Sequence, residues 1–426
     1  MLAAFLILIV LIYASPIAPL VDGNIAIGME ATTMAVATAL VARKAAFEET
    51  EPLLGIFRLV LVVGAIPALW MIIQLLPLGY IGLANPVWES TGQALAHAIV
   101  GSIGVDTGAG LLGLIQYAAV LAILLVTVAV TRDPSRADRV LFALMTATTV
   151  ICLSVAEPLS RLKIFTSPHE DAVRNVGILG VLLAVTAVIR AFERWQLSRG
   201  FSKSKLMFSI AFATASIAVC GSALAIKWTG NVEFSLAFAL TILLAIVVVR
   251  RLEIDIWGLA AIAAFVLVIS ASIVWIQYGR LAADPITAYA EDTTSVEVTR
   301  RILAETPWFG WGAGCFRILA DIYRLPSEPT RVQTAATAAA KIAIELGPPV
   351  LWTILAAILL ATAVLLRSAL KRGRASFYPS LGAACLMAML LRGFADANIF
   401  AQAVSIIAAA TIGLALAQSS GRTGRY

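Results

Sequence analysis

Leu111-Leu-Gly-Leu-Ile-Gln-Tyr-Ala-Ala-Val-Leu-Ala-Ile-Leu-Leu-Val-Thr-Val-Ala-Val-Thr131 carries no charged side chain. It matches the roughly 20 mostly apolar residues that a membrane-spanning helix needs. Similar windows recur at 2–20, 25–42, 55–76, 139–156, 174–191, 206–227, 234–250, 256–278, 347–366, 377–391 and 399–418. Together they predict an all-α, polytopic integral membrane helix bundle of about twelve transmembrane helices. Composition agrees: 61% of the 426 residues are apolar, 13% are charged and the mean hydropathy is +0.94. An ordinary globular domain has about 25% charged residues. The first window lacks a charged leader, and equally apolar windows follow it, so it is read as a retained span.

Lys and Arg collect in cytoplasmic loops. Placing both termini in the cytoplasm puts the majority of the 31 basic residues in short inner connections. Three outer segments remain long enough to build something: 77–110, 157–173 and 279–346. The chain then divides into spans one to nine over 1–278, a large outer loop carrying short helices over 279–346, and spans ten to twelve with a cytoplasmic tail over 347–426. ATP and nucleotide substrates are not normally present on that outer face, which disfavours a nucleotide-sugar enzyme or an ATPase, and no GxxxxGK[ST] run occurs. The net charge of +6 and pI near 9.3 follow from the inner loops, which disfavours nucleic acid as a partner. Cys152, Cys220 and Cys385 fall in predicted spans and Cys315 outside them, so no disulfide framework, metal set or cofactor motif is expected.

Within the large outer loop, Thr294 and Glu297 have capping-box spacing for a short helix through Val298 and Leu303, ended by Pro307. Trp308-Phe-Gly-Trp-Gly-Ala-Gly314 follows. Its alternating glycines permit positive φ, so successive N–H groups can form a concave anion site. The plainer reading is a tight surface loop anchored by Trp308 and Trp311. A second helix is expected over 330–346, between Pro329 and Gly347, with Arg331, Thr334, Lys341 and Glu345 along one stripe. That stripe is either a basic edge facing an anionic substrate or a solvated edge. Among polar residues near spans, Glu30 and Gln74 either face the bundle or mark span ends.

Basic residues on the outer side run against the charge trend: Arg161, Lys163, Arg280, Arg300, Arg301, Arg317, Arg324, Arg331, Lys341 and Arg392. Arginine's planar fork suits phosphate, either in a lipid-linked diphosphate or in phospholipid headgroups.

The order of spans, the phrase Thr306-Pro-Trp-Phe-Gly-Trp-Gly-Ala-Gly-Cys-Phe316 and a helix ending Glu345-Leu-Gly347 resemble the O-antigen ligase and polymerase superfamily, which includes membrane proteins of exopolysaccharide polymerisation. Matching positions are Arg300 or Arg301, Pro307, Gly310, Gly312, Gly314, Phe316, Glu345 and Gly347. Arg392-Gly-Phe-Ala-Asp-Ala-Asn-Ile399 is similar to an outer stretch of the exopolysaccharide branch. Ala336-Thr337 stands where the family carries His-Asn, and Arg392 where that branch often carries histidine.

The resemblance implies a metal-independent, cofactor-free glycosyltransferase, a polymerase or ligase of surface polysaccharide in the bacterial inner membrane. It would move a glycan from an undecaprenyl-diphosphate-linked donor to a sugar hydroxyl at the periplasmic face. Membrane lipids and chain-length or export proteins would be further partners. Arg300, Arg301, Arg331, Arg392 and Lys341 would hold the diphosphate. The general base is left unassigned, with Glu345, His169 and His97 as candidates. The alternatives are a catalytically inactive homologue acting in assembly or glycan binding, and a transporter-like membrane protein.

Overall fold

The computed structural model describes residues 1–17, 23–45, 51–82, 84–97, 100–154, 170–197, 203–226, 230–251, 286–287, 290, 293–325, 332, 334–371 and 376–420. Among the described residues the chain is helical, with no strand. In chain order the helices are α1 (Leu2–Ala14), α2 (Gly23–Ala45), α3 (Glu51–Leu75), α4 (Pro86–Leu95), α5 (Thr107–Val130), α6 (Pro134–Leu153), α7 (Glu170–Leu197) and α8 (Lys203–Ile226). They continue as α9 (Gly230–Arg251), α10 (Thr293–Ala304), α11 (Phe316–Tyr323), α12 (Ala338–Leu346), α13 (Pro348–Lys371), α14 (Phe377–Gly393) and α15 (Gln402–Ser420).

Helices α1 to α3, α5 to α9 and α13 to α15 fall on the apolar windows, while window 256–278 lies outside the described residues. Among the described residues, six helices are long and apolar enough to cross a membrane: α2, α5, α7, α8, α13 and α15. This is the architecture of a helical membrane protein.

Helix α7 packs against α6, α8 and α14, and α14 against α9, α13 and α15. Val176, Ile178, Leu179, Leu182, Leu183 and Ala184 of α7 are all buried. Such a middle stretch, apolar all round from Val176 to Ile189 save Thr186, belongs inside a bundle rather than at its edge. In lipid, close packing rather than water exclusion joins helices, so small residues sit at the crossings. A Cβ on Gly382 would lie 2.3 Å from Ala415 Cβ, so bulk there would part α14 from α15. Buried hydroxyls stay satisfied within their own helices: Thr127, Thr186 and Thr411 donate to the carbonyl one turn back at 2.7, 2.8 and 2.7 Å.

Between α9 and α13 the described chain forms the short helices α10, α11 and α12. Helix α10 covers the expected short helix but already includes Thr294, so Thr294 does not stand at its N-cap, and Glu305 N–H bonding Ile302 C=O closes it before Pro307. Helix α11 was not expected from the sequence. Helix α12 is shorter than the expected 330–346. Thr337 is extended and caps it, its Oγ1 accepting from Ala340 N at 3.0 Å and donating to Ile286 C=O at 3.0 Å. Ala336 N–H is taken by Thr299 Oγ1 at 3.1 Å and Ala338 N–H by Asp396 C=O at 3.3 Å. These tertiary partners hold 336 and 337 outside the helix, which starts at Ala338, so Thr334 does not share a helical stripe with Lys341 and Glu345.

Candidate functional site

The glycine-rich phrase folds into a turn whose backbone is bonded to distant parts of the chain. Gly310 N–H closes on Pro307 C=O, Trp311 N–H donates to Ile344 C=O and Gly312 N–H to Glu345 C=O, each at 2.9 Å. From α3, Gln74 Nε2 donates to the carbonyls of Phe309 and Glu345 at 2.8 and 3.0 Å, and Trp70 Nε1 to that of Leu346 at 2.8 Å. Gly104 N–H reaches Gln74 C=O and Val105 N–H reaches Trp311 C=O, both at 3.0 Å. The end of α3, the approach to α5, the glycine turn and the end of α12 thereby form one clasp. Gln74 therefore faces inward, at 1% exposure.

The clasp requires glycine for two reasons. Gly310, Gly312, Gly314 and Gly347 all have positive φ, which L side chains adopt at a cost. The backbones also touch: a Cβ on Gly312 would lie 2.5 Å from Gly104 Cα, and one on Gly347 would lie 2.2 Å from Trp308 C=O. Phe316 is buried with Val298, Ile302, Leu319 and Ile344, so α10, α11 and α12 close over the clasp as one apolar unit. Trp308 is exposed and stands at the surface, whereas Trp311 packs partly buried against that unit.

An external anion was one expected ligand of this turn. The N–H groups of 310, 311 and 312 are instead consumed by carbonyls, and those of Gly314 and Phe316 face the Glu345 carboxylate. The negative group in this concavity is the chain's own. Burial pushes the Glu345 pKa up, and Lys341 together with the two N–H groups opposes that rise. Its Oε1 is buried without a hydrogen-bond partner.

A raised carboxyl pKa means that the folded state holds its proton more tightly than the unfolded one. This contribution to stability is complete below the ordinary value of 4.5 and declines as pH rises above it. Glu345→Gln, which cannot ionise, is expected to be more stable than the parent at pH 8 and to flatten the fall in Tm between pH 4.5 and 8. Thermal unfolding followed at both pH values checks this; an unchanged pH slope would remove the burial argument.

The other expected site residues are dispersed. Arg300 Nε donates to Thr287 Oγ1 at 3.3 Å. Arg301 Nε lies 3.5 Å from Glu297, and its Nη1 donates to Tyr323 C=O at 3.2 Å, tying α10 to α11. Lys341 Nζ sits 5.6 Å from the centre of the Phe400 ring. His97 is exposed just beyond α4. Arg161, Lys163, His169, Arg280 and Arg331 lie outside the described residues. Ala336, at the position of the family's histidine, is buried. Among the described residues no group of three or more His, Cys, Asp or Glu is placed to hold a metal ion.

Arg392, expected to face a diphosphate, is corrected by the structure: it is fully buried. Its Nη2 pairs with Asp396 at 3.0 Å and its Nε donates to Asn175 Oδ1 at 2.8 Å, while Asn175 Nδ2 donates to Asp396 at 2.8 Å. A buried cation so enclosed is held by its own carboxylate and has no face left for a substrate. Sequence reasoning missed Asn175, Asp396 and Gln74 as partners. The spacing of Arg392 and Asp396, one helical turn, was the available signal. No protein-family model matches the chain, and no curated protein matches it.

Proposed function

We propose that the chain is a multi-pass inner-membrane protein of bacterial surface-polysaccharide assembly, acting on an undecaprenyl-diphosphate-linked glycan at the periplasmic face. The observation that carries this reading is the clasp. Trp311 and Gly312 bond to Ile344 and Glu345, joining the glycine phrase and Glu345-Leu-Gly347 into one unit at the entrance of α13. That unit seats α10 and α11, which bear Arg300, Arg301 and Arg317, with Arg324 just past the end of α11; Trp308 of the turn and Trp352 of α13 are exposed. With about twelve spans and cytoplasmic termini, these arginines stand at the outer lipid–water boundary.

In the transferase form of this proposal, the acceptor hydroxyl attacks the anomeric carbon, the bond to the lipid diphosphate breaks, the hydroxyl proton passes to the departing diphosphate or to water, and arginines stabilise charge on the leaving oxygens. A second reading, glycan binding without transfer, is favoured by one specific observation. Glu345 is enclosed and Ala336 is apolar, so neither motif position presents a base to a substrate.

One experiment separates them. Purified full-length protein in liposomes is given an undecaprenyl-diphosphate-linked oligosaccharide, and product length and lipid binding are both measured. Replacing Arg300 and Arg301 with Gln is expected to lower elongation by about a hundredfold, the scale of lost leaving-group stabilisation. Elongation equal to that of the parent would remove the arginine assignment. Binding without elongation in the parent would establish the second reading.

A further inference from the structure

At the end of α7 remote from Asn175, about 22 Å along the helix axis, lies a cationic cluster that the clasp does not involve. Asp138 of α6 accepts from Arg190 Nη2 at 2.5 Å, from Arg194 Nη2, and from the Tyr378 hydroxyl at 2.8 Å. One carboxylate thus serves two guanidinium groups from α7 and a phenol from α14. The pair of guanidiniums offers about ten N–H donors, and Arg190 Nε is buried without a hydrogen-bond partner. Asp138 divides one negative charge between two guanidinium groups, so an external anion meeting the exposed side of Arg194 would complement the pair; Glu193, on the same turn, is partly exposed.

The position selects the anion. The side chains of Arg190 and Asp138 are 17% and 16% exposed while that of Arg194 is 42% exposed, so the cluster opens outward at Arg194. Helices α6 and α14 begin here, at Pro134 and Phe377, and helix N-termini favour negative charge. On the same last turns of α7, Phe192 and Trp195 pack 5.8 Å apart and are exposed, as aromatic rings are at a lipid–water boundary.

We propose that Arg190 and Arg194 bind the phosphate of an anionic phospholipid headgroup at this end of the bundle. The site is independent of the glycan assignment. Full-length protein is titrated with phosphatidylglycerol, with phosphatidylcholine and, separately, with inorganic phosphate, and bound lipid is counted by native mass spectrometry alongside the unfolding midpoint. The parent is expected to retain phosphatidylglycerol in preference to phosphatidylcholine and to gain stability from it. Arg194→Gln, which leaves the Arg190–Asp138 pair intact, is expected to weaken that binding about tenfold. Arg194→Lys keeps charge without the fork and is expected to fall between. Arg190→Gln repeats the test from within the cluster. Equal phosphatidylglycerol binding by the parent and both Gln variants overturns the site, as does equal retention of phosphatidylcholine. Stabilisation by inorganic phosphate matching that by phosphatidylglycerol overturns the lipid source.

Discussion

Gly312→Ala and Gly347→Ala are each expected to destabilise the protein by about 3 kcal/mol or more, the sum of a left-handed backbone penalty and an overpacking term. Neither term can relax cheaply. Gly312 has φ +105°, and the atom its Cβ would meet at 2.5 Å is the Gly104 backbone, not the end of a flexible side chain. Gly347 has φ +93°, and its Cβ would lie 2.2 Å from Trp308 C=O. Moving either backbone breaks bonds that bind the turn to α12, including Trp311 N–H to Ile344 C=O. Thermal unfolding of the detergent-solubilised protein, read by tryptophan fluorescence, is the measurement. Gly221→Ala is the control, since nothing lies within 4 Å of its Cβ and it sits inside α8. That control should be neutral or slightly stabilising. A Tm for Gly312→Ala equal to that of the control would refute the clasp as a structural requirement.

Arg392→Met is the second large effect, at about 3–5 kcal/mol, because it leaves the Asp396 carboxylate buried without its cation. Asp396 would retain bonds from Asn175 Nδ2 and from the backbone N–H and side chain of Asn398, at 2.8, 2.8 and 3.0 Å. Neutral donors do not replace a guanidinium inside a bundle. The companion change Asp396→Asn removes the stranded charge while keeping a side-chain oxygen for the Asn398 N–H. The double variant Arg392→Met with Asp396→Asn is therefore expected to recover part of the loss, with a coupling above about 1 kcal/mol in a double-mutant cycle. Additive losses would mean that the two residues act separately. Because Ala338 N–H also bonds Asp396 C=O, the single variant should loosen the start of α12 and be detectable there by hydrogen exchange.

The helices of the bundle were legible in the chain because a spanning helix writes its length directly as an apolar run. Leu111 to Thr131 and α5 coincide within four residues at the start and one at the end. The boundary of α12 was not legible. Thr330 to Leu346 reads as a helix on local preference, and Thr299 and Ile286, brought in from elsewhere, hold 336 and 337 outside it while Asp396 takes the first N–H of α12, at Ala338. Arg392 misled for a related reason: an arginine beside an outer boundary reads as a phosphate ligand until its carboxylate is placed against it.

The glycine turn shows where the two levels divide. Alternating glycines in Trp308 to Gly314 already signalled positive φ and close backbone approach, since no other residue tolerates both. What approaches was settled in three dimensions. Gln74 meets Glu345 across 271 residues, and Arg392 meets Asn175 across 217. Hydropathy and local spacing act over one or two helical turns and therefore specify helices and glycines. Long-range hydrogen bonds arise only when helices pack, so folding alone turned the anion cradle inward onto Glu345 and enclosed Arg392 with Asp396.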